Sequence, residues 1–184
     1  MNKDNSVCNS LQKFAPPSDS VLEEIGSSVF YNCTELTSIV LPEKLESVGD
    51  YAFYNTKALS KVTVHSKKLE AFGTGTFNRA GYEAENGIAV VFSDSVTYIP
   101  ANMFECGEND YAHVKSVKIG KSVETIGLDA FTNCYDLETV TIPENVVSFG
   151  DRVFAGCTSL TTVTMLSDIV SMPTNMFSGC AALE

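Results

Sequence analysis

Hydrophobic residues recur along this chain in a fixed frame. Seven phenylalanines, Phe30, Phe53, Phe77, Phe104, Phe131, Phe154 and Phe177, stand at intervals of 23, 24, 27, 27, 23 and 23 residues. Six residues after most of them comes a leucine: Leu36, Leu59, Leu137, Leu160 and Leu183. At nine and eleven residues comes an alternating apolar pair: Ile39/Leu41, Val62/Val64, Val140/Ile142 and Val163/Met165. Five residues before each Phe is a further apolar side chain (Ile25, Val48, Phe72, Ile99, Ile126, Phe149, Met172), followed by Gly, or by Pro at Pro100 and Pro173. The period-two pair predicts a short strand with its apolar members pointing inward. The Gly or Pro predicts a turn. The segment around each Phe is too brief for a stable helix, so one helical or 3-10 turn is expected there.

One such coil cannot bury its apolar edge, but stacked coils make a continuous core and a parallel sheet with strands about 4.8 Å apart. A period in the twenties carrying Leu-x-x-Val-x-Ile reads as a leucine-rich-repeat solenoid. The expected class is therefore a β-rich α/β solenoid with one parallel strand per coil. The chain divides as a single array: a partial repeat at 1–20, full repeats at 21–44, 45–68, 69–95, 96–122, 123–145 and 146–168, and a truncated repeat at 169–184. Beginning and ending within a repeat suggests a piece of a longer array. An uncapped solenoid exposes a sheet edge and an apolar end face, which favours end-to-end self-association.

At Val/Leu-x-x-Ile-Gly-x-x-Ala-Phe-x-x-Cys-x-x-Leu-x-x-Val-x-Ile-Pro the chain resembles the BspA-like leucine-rich-repeat family, over roughly residues 8–184. Thr56 and Ala80 depart from the pattern in the Cys slot, and Pro100 and Pro173 in the Gly slot. The resemblance implies an arched solenoid. It also implies a cell-surface or secreted location and a role like that of family members, surface proteins of bacteria and some protists that adhere to extracellular-matrix proteins or to other cells. A non-catalytic protein-binding or adhesion module is thus the leading expectation. An intracellular scaffold or assembly protein is the alternative.

Cys33, Cys134, Cys157 and Cys180 each lie three residues after a column Phe, where Thr56 and Ala80 are also small. The column reads as buried, reduced thiols behaving as small hydrophobes, with a disulfide ladder or a metal as the alternatives. Parallel side-chain vectors in neighbouring coils disfavour bridging. Cys8 belongs to the same column in the partial first repeat, and Cys106 is off register.

Charge narrows the partners. The net charge is −11, arginine occurs only as Arg79 and Arg152, and no Lys/Arg run exceeds Lys67-Lys68, so a nucleic-acid partner is not expected. No apolar run reaches the roughly 20 residues of a membrane span, and the first residues lack the apolar core of a signal peptide. With His65 and His113 the only histidines, no catalytic triad, metal set or cofactor site is expected.

Two coils are four residues longer than the rest, at Asn78–Gly87 and Glu105–His113. Being consecutive, these inserts should project side by side, and they carry Tyr82, Glu83, Glu85, Glu108, Asp110, Tyr111 and His113. A second candidate contact surface is the outward face of the strands. There Lys61, Thr63, Lys118, Thr139, Thr141, Thr162 and Thr164 lie among positions free of acids, although Thr is also simply a good strand residue.

Overall fold

The computed structural model describes residue 8 and residues 10–105 and 110–184. Cys106 and Glu108 lie outside the described residues. Each coil carries a longer strand where the apolar pair occurs: β3 (Ser38–Leu41), β5 (Lys61–Val64), β7 (Ile88–Phe92), β9 (Val114–Lys118), β11 (Thr139–Ile142) and β13 (Thr162–Met165), preceded by a short β1 (Lys13–Phe14). All pair in parallel. Ile39, Leu41, Val62, Val64, Val90, Phe92, Val140 and Ile142 are buried, while the residues between them face outward.

Three expectations need correction. A second strand appears in the coils, at the apolar residue before the Gly or Pro: β2 (Glu24–Ile25), β4 (Ser47–Val48), β6 (Ala71–Phe72), β8 (Tyr98–Ile99), β10 (Thr125–Ile126) and β12 (Ser148–Phe149). Stacking brings these dipeptides into register, so each finds ladder partners that no coil could offer alone.

The expected helical turns are absent from the described residues. The Phe segments instead carry left-handed residues two positions before Phe (Ser28, Tyr51, Asn102, Asp129, Arg152, Asn175) and two positions after it (Asn32, Asn55, Arg79, Asn133). A right-handed helix cannot run through such residues. Their backbone groups bond to the next coil, as in Phe30 N–H to Ala52 C=O at 2.8 Å and Phe131 N–H to Val153 C=O at 3.0 Å.

The cysteines are not all thiols. Cys8 and Cys33 form a disulfide across a Cα–Cα distance of 4.5 Å. Cys8 precedes the first described ladder strand, so its side chain is not held in the parallel direction that stacking imposes further along. In the later coils the Cys157 Sγ–H donates to Phe131 C=O at 3.3 Å and the Cys180 Sγ–H to Phe154 C=O at 3.1 Å, while Cys134, like Cys157, is a buried thiol.

The core is an aromatic column. Phe30, Phe53, Phe77, Phe104, Phe131, Phe154 and Phe177 stack in sequence, with neighbouring centroids 4.8–6.0 Å apart and Phe14 against Phe30. All are buried but Phe177, which is half-buried in the last coil. The two long coils interrupt both ladders. The short strands separate into β2-β4-β6 and β8-β10-β12, and the long ones into β1-β3-β5-β7-β9 and β11-β13.

Candidate functional site

The inserts meet at one edge of the solenoid. The first is tied to the preceding coil by Glu83 N–H donating to Lys57 C=O at 2.9 Å, beside a Lys57–Glu83 ion pair at 3.0 Å. It ends at Gly87, which has a φ of +60°; a Cβ there would stand 2.6 Å from the His113 carbonyl oxygen. That approach, backbone on backbone, is what a glycine permits. The second insert closes on the first through Ile88 N–H to His113 C=O at 2.7 Å and His113 N–H to Ala80 C=O at 3.0 Å. Arg79 N–H is shared between the carbonyls of Asp110 and Tyr111 at 3.1 and 3.2 Å.

With its backbone held from both sides, His113 is the centre of the cluster. Its Nδ1 lies 2.8 Å from Oδ2 of Asp136. Tyr82 meets its ring edge-on at 5.3 Å, and Tyr111 packs against it at 4.5 Å. Tyr111 in turn meets Tyr135 edge-on at 4.8 Å. Burial, with the Asp136 carboxylate and Tyr82 nearby, pushes the Tyr111 phenol above its ordinary range. Next to this cluster Lys115 pairs with Glu138, and Glu85, Gly87, His113, Lys115 and Asp136 line a shallow groove of about 370 Å³. Tyr82 stands out from it, 66% exposed.

Of the insert candidates, Tyr82, Tyr111 and His113 touch one another, Glu83 engages Lys57, Glu85 lines the groove, and Asp110 sits 3.9 Å from Arg79. Tyr135 and Asp136 belong to the next, fully regular coil, and sequence reasoning missed them. Their signal is positional: they occupy the coil stacked directly after His113.

The outward-face candidates lie elsewhere. Lys61 and Thr63 are on β5, Lys118 on β9, Thr139 and Thr141 on β11, and Thr162 and Thr164 on β13. Neither Lys61 nor Lys118 forms an ion pair with a described residue. Among the described residues no three His, Cys, Asp or Glu side chains converge as metal ligands. The cluster positions aromatic surface and fixes an imidazole, which suits contact with a partner.

Solved structures from Bacteroides ovatus and T. pallidum share the fold. A leucine-rich repeat protein from Bacteroides ovatus aligns over 97% of this chain and 55% of its own length, at 23% identity and a TM-score of 0.58. The leucine-rich repeat protein of T. pallidum aligns over 95% of this chain and 78% of its own, at 18% identity and a TM-score of 0.54. A leucine-rich cell surface protein from Faecalibacterium prausnitzii aligns over 85% of this chain at 24% identity and a TM-score of 0.49, and the chain spans 48% of that protein. No curated protein matches in sequence. The BspA type leucine rich repeat region matches in 6 copies across residues 5–109 and 109–184, and this chain belongs to that family.

Proposed function

We propose that this chain is a non-catalytic protein-binding module of a surface-exposed protein and that the edge around Tyr82 is its contact site. The observation that carries the reading is Tyr82 itself. It is a largely exposed aromatic ring set edge-on against His113, which Asp136 and Tyr111 hold in turn. An aromatic that is ordered before binding offers contact area at little entropic cost, and Tyr is enriched among residues that dominate interfaces. The rigid solenoid behind it supplies the fixed platform on which such loops act.

The Cys8–Cys33 disulfide favours a surface location over the intracellular scaffold, since disulfides persist in oxidising compartments and are rare in the cytosol. The family resemblance points to extracellular-matrix and neighbouring-cell proteins as partners. Biolayer interferometry of this chain against purified matrix proteins tests the reading, with Tyr82→Ala as the comparison. A hot-spot tyrosine predicts a loss of about 2 kcal/mol, roughly thirtyfold in Kd. No binding by the unchanged chain, or equal binding by the variant, would overturn it.

A further inference from the structure

Charge at the Tyr82 edge does not cancel. Five carboxylates gather there: Glu83, Glu85, Asp110, Asp136 and Glu138. Three cations answer them, Lys57 with Glu83 at 3.0 Å, Arg79 with Asp110 at 3.9 Å and Lys115 with Glu138 at 2.5 Å. Glu85 and Asp136 are left over. Glu85 has no ion-pair partner among the described residues. Asp136 meets the imidazole of His113, Nδ1 to Oδ2 at 2.8 Å. With histidine neutral at pH 7, that ring donates a hydrogen bond and leaves the charge of the carboxylate in place.

The two uncompensated acids are also the two that line the groove of about 370 Å³. Its one base, Lys115, is already engaged by Glu138. The charge that the groove lacks is positive. A net charge of −11 gives the whole surface this sign, so charge alone does not mark a site. What distinguishes the groove is the aromatic beside it. Tyr82 is held against the lining residue His113 at 5.3 Å, yet its ring is 66% exposed.

The face of an aromatic ring attracts cations. Among cationic side chains arginine suits this arrangement best. Its guanidinium is planar and weakly hydrated, so it stacks on a ring while its N–H fork reaches carboxylates. A lysine ammonium is a compact, strongly hydrated point charge and cannot stack in this way.

We infer that the groove beside Tyr82 takes an arginine side chain from an exposed segment of the partner protein. The guanidinium stacks on the Tyr82 ring and directs its N–H groups to Glu85 and Asp136. This rests on the reading of the Tyr82 edge as the contact site and adds the chemistry of the partner to it.

Fluorescence anisotropy on the full chain, at about 0.15 M salt, tests this with a labelled alternating Arg-Ser dodecapeptide and its Lys-Ser and Glu-Ser counterparts. The Arg-Ser peptide should bind more tightly than the Lys-Ser peptide, and the Glu-Ser peptide should not bind. Tyr82→Ala should weaken the Arg-Ser peptide about tenfold, and Tyr82→Phe should retain it because the ring face is what binds. Glu85→Gln should weaken it about threefold. Glu124→Gln, which removes an exposed acid outside the groove, should leave it unchanged and so separates the groove from the charge of the whole chain. Absent binding, equal binding of the Arg-Ser and Lys-Ser peptides, indifference to Tyr82→Ala, or equal losses with Glu85→Gln and Glu124→Gln would each overturn the inference. A chain that ignores the Arg-Ser peptide but binds a matrix protein through Tyr82 would keep its contact site and lose only the arginine.

Discussion

Arg152 Nε donates to Asp129 Oδ1 at 2.9 Å, and Arg152 Nη2 donates to Asp129 Oδ2 at 2.5 Å, a forked pair that joins consecutive coils. Asp129 is 5% exposed and adopts a left-handed backbone with a φ of 54°. Thr132 Oγ1 adds a hydrogen bond to Oδ1 at 2.9 Å. A carboxylate buried at a backbone conformation most residues avoid is held by the coil that follows it. The Arg152 fork holds this carboxyl below the usual range; burial works against that, and Thr132 reinforces it.

The sign of the pH dependence follows. A carboxyl with a depressed native pKa contributes stability that is fully present above its unfolded value, about pH 4, and is lost as pH falls through the lowered native value. Arg152→Ala removes the fork and leaves a desolvated carboxylate, whose pKa burial then raises. The variant should show a lower urea midpoint than the parent at pH 7, and the difference should narrow between pH 5 and pH 3. A difference that is constant with pH would show that the fork does not set the protonation of Asp129.

Legibility in the sequence follows what repeats. The Phe column and the Val-x-Ile strands were readable because each residue type recurs at its own phase. The left-handed positions were also written in the chain, as Asn32, Asn55 and Asn133 after Phe and Asn102, Asp129 and Asn175 before it. These residue types tolerate that conformation, and they are the signal that argued against a helical turn. The Cys8–Cys33 bond was hidden because it depends on Cys8 lying outside the ladders. Asp136 was passed over because its partner His113 is its neighbour by stacking, not by sequence. The break between the β1-β3-β5-β7-β9 and β11-β13 ladders was not readable either: Lys115 is an extra residue inside β9, and insert length alone does not say where an extra residue is absorbed.

Phe131 sits between Phe104 and Phe154 at centroid distances of 6.0 and 5.5 Å and is fully buried. Phe131→Ala should cost about 3–5 kcal/mol, the usual range for truncating a buried Phe. Phe177→Ala removes a half-buried ring with one stacked neighbour and should cost clearly less. Urea denaturation of both variants checks the order. Equal losses would mean that stacking on two sides contributes nothing.

The Gly column is a packing constraint between coils. A Cβ added to Gly127 would lie 2.5 Å from Ala101 N, a backbone atom with nowhere to move, whereas one added to Gly26 would meet Val29 Cγ2 at an ordinary 3.7 Å. Gly127→Ala should therefore destabilise by about 1–3 kcal/mol, as overpacking does. Gly26→Ala should be neutral or stabilising by up to about 1 kcal/mol through the unfolded state. Thermal melts of the two variants make the comparison, and a matched loss would contradict the close approach at Gly127.

The thiols should differ sharply in reactivity. Burial, with Cys180 nearby, pushes the Cys157 thiol up to about 12. At pH 8 that leaves roughly one thiolate in ten thousand, and the thiolate is the reactive form. Cys180 is half-buried, and burial also raises its pKa. Alkylation of the native chain at pH 8, read by peptide mapping, should modify Cys180 well before Cys157. Cys8 and Cys33 should be recovered as one linked peptide pair until a reductant is added. Fast labelling of Cys157 would mean that the last coils open readily. Unlinked Cys8 and Cys33 in protein prepared under oxidising conditions would remove the support that the disulfide lends to a surface location.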